Sequence, residues 1–369
     1  MYSQNELDEA VAAGAITAEA AAALRAHIER QYSSSTVDEE QFRLLTGFND
    51  IFVSIAASIL LFAVAWIGHQ IGQSLGLAID GDGPSWTGPL AVAATAWGLA
   101  LFFTARRRMA LPSILLLLAF VGGVFATVGF GLVVALGPDQ LDNNPQLAGV
   151  LGAVSGAAAA TAAWLHWKRF RVPITVAAGA ASVAAIAVGL LIAALGDNAE
   201  NSRNLILGFV LLLGIGTFLF AMWWDGSDRA RITRRSDVAF WLHLLAAPMI
   251  VHPIFTLLGL NDGNATIGEG FVVILLYVVI GITALAIDRR ALLVSALAYV
   301  LWALSDLFER FGAVQLNVAL TALVIGSALL LLSAFWHQAR AAVVRPLPES
   351  IRERLPIVNR SSAAPQPAA

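Results

Sequence analysis

The chain has 369 residues, of which 58% are hydrophobic and 13% are charged. About a quarter of the residues in a soluble domain are charged, so this composition excludes an ordinary soluble protein and favours an integral membrane protein with several spans. The net charge of -3 gives no support for a nucleic-acid partner, and the absence of cysteine excludes disulfide bonds and cysteine metal sites.

Residues 1–49 are predicted to form a cytoplasmic helical preamble with a linker. Two short helices are expected on either side of Gly14, and Thr17 is a suitable N-cap for the second. After the linker, the segment "VDEEQFRLLTGFND" predicts an amphipathic helix along the membrane surface. The polar start "MYSQNELDEA" does not have the pattern of a signal peptide.

Residues 50–338 are predicted to be the transmembrane part. A bilayer core about 30 Å thick needs about 20 apolar residues per helix, and ten stretches meet this requirement. We therefore predict an all-α fold, a polytopic membrane helix bundle of about ten transmembrane helices. The fourth and fifth spans are rich in alanine and glycine and are expected to pack closely. The ten stretches begin near Ile51, Gly88, Leu111, Leu147, Pro173, Asn204, Val238, Gly270, Ala291 and Leu316.

Two kinds of connection alternate between these spans. Basic connections, such as "ARRRMA", "HWKRFRVP" and "DRR", alternate with acidic or neutral ones, such as "AIDGDGPS" and "GPDQLDNNPQ". By the positive-inside rule the basic connections are cytoplasmic. Because alanine- and glycine-rich spans are typical of bacterial proteins, we predict a location in the bacterial inner membrane with both termini in the cytoplasm.

Residues 339–369 are predicted to be a basic cytoplasmic tail with a partly disordered end rich in proline, alanine and serine. Its arginines are expected near anionic lipid headgroups, as are the basic loops. Orientation of the protein by these charges is favoured over specific recognition of a lipid or a protein. The predicted partners are therefore the lipid bilayer and its anionic headgroups, with no nucleic acid.

Two pairs of similar segments indicate an internal repeat. "RRMALPSILL" begins at Arg107 and "RRALLVSALA" at Arg289, 182 residues later, while "HQIGQSLGL" at His69 and "HPIFTLLGL" at His252 are 183 residues apart. If the repeat is real, spans one to four and seven to ten run in the same direction. Alanine-rich apolar segments also match by chance, and this alternative stays open.

The seventh span contains "WLHLLAAPMIVHPIF", with two histidines and two prolines. His243 and His252 are nine residues apart and so lie on opposite faces of a helix, which excludes a shared metal ion. His243 is expected in the interface near the inner surface. Pro248 and Pro253 each remove a backbone hydrogen bond, so we expect a bent helix in which His252 faces protein or a cavity.

Four ionisable residues reach a similar outer depth in three spans. Asp306 and Glu309 lie three residues apart on one face of the ninth span, and an ionisable residue inside a span is costly unless it faces the bundle or water. We predict a polar pocket that faces the periplasm. Four separate interfacial residues are the alternative. The candidate residues are His69, His252, Asp306 and Glu309. The sequence predicts no catalytic residue, metal site or cofactor.

The preamble carries the phrase "AGAITAEAAAAL" from Ala13 to Leu24. A short helical preamble with this phrase, followed by many spans, resembles a family of bacterial polytopic inner-membrane proteins of unknown function. The resemblance implies the architecture but no catalytic residues. Drug/metabolite transporters are similar in span count and orientation, but this chain departs from them in its long preamble and its parallel repeat.

Three classes of function remain on this sequence. The first is a transporter or permease that passes a proton, an ion or a small solute through the polar pocket. The second is a membrane scaffold or sensor that does not transport. An enzyme is the least favoured class, because intramembrane hydrolases and transferases have more clustered acidic residues and histidines than this chain. The sequence does not identify a substrate.

Overall fold

A computed structural model describes residues 11–24, 48–142, 144–228, 231, 233–259, 267–290, 292–293, 297, 301, 317–353 and 355–356. The chain divides into two units, Met1–Phe42 with Ile357–Ala369, and Arg43–Pro356. In the described residues the regular secondary structure is helical, apart from one isolated β-bridge between Ala78 and Ser85. The predicted all-α class is confirmed.

The described part of the first unit is residues 11–24. A helix ends at residue 12, Gly14 has a φ of +70°, and a second helix covers residues 18–24. Thr17 Oγ1 accepts a hydrogen bond of 3.1 Å from the backbone N–H of Ala20, which is the geometry of an N-cap. The two short helices around Gly14 are therefore confirmed. The amphipathic helix predicted before the first span lies mostly outside the described residues.

Ten longer helices make up the described part of the second unit. For nine of the ten predicted spans, the predicted start lies within four residues of the first residue of such a helix. The span predicted near Ala291 lies mostly outside the described residues. The helices are α1 Phe48–Ser74, α2 Thr87–Phe103, α3 Ala110–Leu136, α4 Pro145–Phe170, α5 Ile174–Leu195, α6 Arg203–Gly226, α7 Arg234–Leu257, α8 Ile267–Ile287, α9 Asn317–Ala334 and α10 Trp336–Val344.

Six of these helices, α1 and α3 to α7, are long and apolar enough to cross a membrane. The bent pair of α9 and α10, with a 75° angle between its helices, would make a seventh span if it counts as one. Helix α2 has 17 residues and the apolar part of α8, Phe271–Ile287, has the same length, so both are shorter. The protein is an integral membrane protein, and the count of ten spans stays a prediction.

Local signals explain where the helices begin and end. The side chain of Asn144 accepts a hydrogen bond of 2.9 Å from Leu147 N–H, and Pro145 occupies the first turn of α4. Arg171 then ends α4 with a φ of +56°. Helix α7 runs without interruption through Pro248 and Pro253.

Small residues bring consecutive helices close together. A Cβ atom on Gly149 of α4 would lie 2.4 Å from the backbone nitrogen of Ala193 in α5. A Cβ atom on Gly189 of α5 would lie 2.7 Å from the backbone nitrogen of Ala153. Neither glycine can be replaced without moving a helix, so the predicted close packing of the fourth and fifth spans is confirmed.

From α1 to α7, consecutive helices in the chain pack against each other, so consecutive helices are antiparallel. The connections 104–109 and 171–173 lie at one end of the bundle because consecutive helices alternate in direction, and residues 288–290 lie at the same end because Arg289 binds Asp225 at the end of α6. All three segments contain arginines, and we call this end the inner end. The connections 75–86 and 196–202 contain acidic residues and no lysine or arginine, and they lie at the opposite end, the outer end.

Candidate functional site

An open groove of about 670 Å³ lies between α1, α2 and α3 in the outer part of the bundle. Small residues form much of its wall, because Gly88, Ala119 and Gly122 leave space that larger side chains would fill. We call this cavity the outer groove. It is lined by Ala65, His69, Asp82, Gly83, Pro84, Ser85, Gly88, Pro89, Val92, Leu118, Ala119, Gly122, Gly123, Ala126 and Phe130.

The polar end of the outer groove is built around His69. The backbone N–H of Ser85 donates a hydrogen bond of 3.3 Å to His69 Nδ1, and Ser85 Oγ lies 3.2 Å from the same atom. Because Nδ1 accepts from a backbone N–H, the neutral ring carries its proton on Nε2. His69 is half-buried, so it presents a fixed donor beside apolar walls.

The connection from α1 to α2 holds Ser85 in this place. Gln73 Nε2 donates a hydrogen bond of 3.0 Å to the carbonyl oxygen of Asp82, and Ile79 N–H donates one of 3.2 Å to the carbonyl oxygen of Pro84. Thr87 Oγ1 donates one of 2.7 Å to the carbonyl oxygen of Gly68. The connection is thus folded onto the end of α1 and forms one wall of the outer groove.

Two of the four residues of the predicted outer pocket belong to the described residues, and these two lie in different places. His69 lines the outer groove, whereas His252 is exposed on α7 and does not line it. His243 is fully buried, so the two histidines of α7 face different sides, as their spacing predicts. Asp306 and Glu309 lie outside the described residues, so the proximity of His252 and Asp306 stays a prediction.

At the inner end, Asp225 is the centre of a buried charge cluster. Both oxygens of its carboxylate accept hydrogen bonds from Arg289, one of them at 3.1 Å from Nε and the other from Nη2. His243 Nε2 lies 3.2 Å from Asp225 Oδ2, and Arg289 Nη2 also donates to the carbonyl oxygen of Ser236 at 3.1 Å. Asp225 and Arg289 are each only 2% exposed.

A second carboxylate, that of Asp288, continues the cluster. Arg231 Nη1 donates to Asp288 Oδ2 at 2.8 Å, and the indole Nε1 of Trp336 donates to Oδ1 at 2.8 Å. The guanidinium of Arg340 lies 3.7 Å from the same carboxylate and donates a hydrogen bond of 2.7 Å to the carbonyl oxygen of Pro356. We call the two carboxylates and their partners the inner network.

The inner network ties the ends of α6, α7, α8 and α10 together. A buried ion pair contributes little net stability, but removal of one partner leaves an unpaired charge in a medium of low dielectric constant. Both carboxylates accept from several donors and are therefore paired, whereas His243 Nδ1 is buried with no hydrogen-bond partner.

The expectation that His243 lies in the interface is wrong. It is 0% exposed and bound to Asp225, because α6 packs against α7 and brings a carboxylate to its depth. A second histidine, His166 of α4, is also 0% exposed and has its Nδ1 3.2 Å from Thr175 Oγ1. Its ring centroid lies 4.6 Å from that of Phe170.

The sequence did contain a signal for the inner network. Asp225 and Asp288 are acidic residues next to basic connections. The positive-inside rule explains the arginines of these connections but not the two carboxylates. Acidic residues in such places indicate pairing with arginine within the bundle. The partner could not be assigned, since Asp225 and Arg289 are 64 residues apart.

Within the part of the chain that the structure describes, no group of three or more His, Cys, Asp or Glu side chains could hold a metal ion. Comparison with known proteins gives no match to a protein-family model, a curated protein or a solved structure.

Proposed function

We propose that the protein is a transporter or permease that admits a small solute at the outer groove. The single observation that carries this proposal is the shape and lining of the groove. Its volume of about 670 Å³ lies in the range of small-molecule sites, which are mostly apolar with a few convergent polar groups. His69, Asp82 and Ser85 are the polar residues at one end, and the remaining wall is largely apolar.

The lining favours a small amphiphilic solute over a bare ion. A desolvated ion requires several oxygen ligands or opposite charges, whereas the wall from Leu118 to Ala126 is made of apolar side chains and glycine. A hydrogen-bond acceptor on the solute would pair with the Nε2–H of His69. His252, Asp306 and Glu309 are proposed as further polar groups along the path at the outer end.

The orientation is part of the same proposal. The arginine-rich inner end would face the cytoplasm of a bacterium and the outer groove the periplasm, with both termini in the cytoplasm. Reporter fusions test this: a fusion after Arg290 should report a cytoplasmic position and one after Asp139 a periplasmic position. The reverse result would contradict the orientation.

The transport experiment uses the purified protein in liposomes and two matched variants. A Cβ atom on Gly122 meets no other atom within 4 Å, so Gly122→Phe should fill the outer groove without a clash. Gly98 of α2 has the same open surroundings but does not line the groove, so Gly98→Phe is the control.

The liposomes are incubated with a defined mixture of amino acids, sugars, carboxylic acids and aromatic amines, and their contents are measured by mass spectrometry. At least one solute should enter with the unchanged protein and with Gly98→Phe but not with Gly122→Phe. If the solute content of all three preparations equals that of empty liposomes, the transport proposal is wrong for these solutes and the scaffold is favoured.

The second candidate is a scaffold or sensor that does not transport. The inner network favours it, because a buried charge cluster that joins four helices fixes their arrangement. We propose no enzymatic activity for either candidate. Ser85 Oγ lies 3.2 Å from His69 Nδ1 at the outer groove, but the same nitrogen accepts from the backbone N–H of Ser85, and no carboxylate among the described residues is hydrogen-bonded to this histidine.

A further inference from the structure

The outer groove has a polar end and an apolar end. Helix α3 begins at the inner end of the bundle and ends at the outer end, so its lining residues run outward from Leu118 to Phe130. Phe130 is twelve residues after Leu118, which corresponds to about 18 Å along the helix axis. The outer end of the groove is lined by His69, Asp82 and Ser85, whereas the deeper part is lined by apolar side chains and glycine.

Two hydrogen bonds place Asp82 relative to His69. Ser85 N–H donates to His69 Nδ1, and Gln73, four residues after His69 on α1, donates to the carbonyl oxygen of Asp82. Side chains four residues apart on a helix are about 5–6 Å from each other. Since both contacts join α1 to the same connection, Asp82 lies about one helical turn outward of His69. A solute can therefore contact both residues with two polar groups that are a few bonds apart.

Asp82 gives the outer end of the groove a negative charge. Its side chain is exposed, and residues 75–86, the connection that carries it, contain no lysine or arginine. A protonated amine placed there is attracted by the carboxylate of Asp82, whereas the carboxylate of an organic acid is repelled. The acceptor for the Nε2–H of His69 is then an oxygen atom of the solute that lies close to its amine.

We propose that the outer groove selects an amphiphilic amine, with its ammonium group at Asp82 and a single apolar tail along α3 toward Leu118. The groove orders these groups as the bilayer does, with the charge at the outer surface and the tail at apolar depth. A cavity of about 670 Å³ has the size of a site for one such molecule. This inference rests on the proposed function, because it names the class of solute that the groove would admit.

The test measures binding, independently of transport. The full-length protein in phosphatidylcholine nanodiscs is equilibrated by dialysis near neutral pH with 2-amino-1-octanol, 1-octanol or octanoate, and the bound amount is measured by mass spectrometry. Empty nanodiscs give the amount that dissolves in the lipid. The three probes have the same chain length and differ in charge. The amino alcohol should bind saturably and more tightly than 1-octanol, and octanoate should bind most weakly.

Two matched pairs of variants locate the site. Asp82→Asn should weaken binding of the amino alcohol about fivefold, the effect of one exposed ion pair, and leave binding of 1-octanol unchanged. Asp80→Asn removes the same charge two residues away, outside the lining, and should change binding by less than about twofold because salt screens exposed charges. Gly122→Phe should abolish binding of the amino alcohol, and Gly98→Phe should preserve it.

Binding of 1-octanol or octanoate as tight as that of the amino alcohol would overturn this inference, as would no binding above empty nanodiscs or equal effects of Asp82→Asn and Asp80→Asn. Uptake of another solute in the liposome experiment would then leave the proposed function standing. If the amino alcohol binds as expected but does not enter liposomes, the inference on binding stands and the transport proposal is wrong for this solute. The ranking of the three probes on the unchanged protein decides the test even if a variant does not fold.

Discussion

The outer groove and the inner network lie at opposite ends of one bundle and satisfy their polar groups in different ways. At the outer end, His69 has one ring nitrogen bound to Ser85 and lines an open cavity. At the inner end, Asp225 is buried and accepts hydrogen bonds from two neighbouring side chains. Ionisable groups that line a cavity are available to a ligand, whereas groups that neutralise each other hold helices together.

The largest expected difference between the two ends comes from removing a carboxylate at each. Asp225→Ala leaves Arg289 buried without its counter-charge and should lower the free energy of unfolding by about 3–5 kcal/mol. Asp82→Ala removes an exposed carboxylate at the outer end and should change the free energy of unfolding by less than about 0.5 kcal/mol. Unfolding in mixed detergent micelles measures both. Equal losses of unfolding free energy in the two variants would mean that Asp225 is not a buried partner of Arg289.

Replacing a tryptophan at each end should give a smaller difference in the free energy of unfolding. Trp336→Phe removes the hydrogen bond to Asp288 and should lower the free energy of unfolding by about 1.5–3 kcal/mol, the value for bonds to charged groups. Trp66 of α1 is 58% exposed, so Trp66→Phe should change it by less than about 0.5 kcal/mol. The same unfolding assay applies, and a cost for Trp66→Phe as large as that for Trp336→Phe would contradict the difference.

Two adjacent glycines sharpen the account of the outer groove. A Cβ atom on Gly123 would lie 2.9 Å from the carbonyl oxygen of Pro89, so Gly123→Ala should destabilise the protein by about 1–3 kcal/mol. Gly122 has open space, so Gly122→Ala should stabilise it by up to about 1 kcal/mol through helix propensity. If Gly122→Ala is also destabilising, the wall of the groove is packed more tightly than described.

Hydropathy predicted most of the fold because each span is a local property of the chain. The starts of α1 to α7 lie close to the predicted positions for this reason. The sites depend on contacts between distant residues, such as His69 with Ser85 and Asp225 with Arg289, which no local pattern contains. His243 illustrates the limit: its depth in the span was predictable, but its carboxylate partner on α6 was not.

The predicted repeat relates two arginines that now have different surroundings. Arg107 is exposed and its guanidinium lies 5.5 Å from the centre of the Phe102 ring, whereas Arg289 is buried against Asp225. Sequence similarity alone treats the two as equivalent. The repeat stays a prediction, because most of the ninth predicted span lies outside the described residues.

The central claim is that water and solutes reach the outer groove but do not reach the side chains of the inner network. The chain has no cysteine, so each introduced cysteine is the only thiol and can be followed with a membrane-impermeant thiol reagent. Gly122→Cys should react, whereas Gly98→Cys, outside the groove, and Ser236→Cys, in the inner network, should not. If Gly122→Cys is as unreactive as Gly98→Cys, or if Ser236→Cys reacts as fast as Gly122→Cys, the central claim is contradicted.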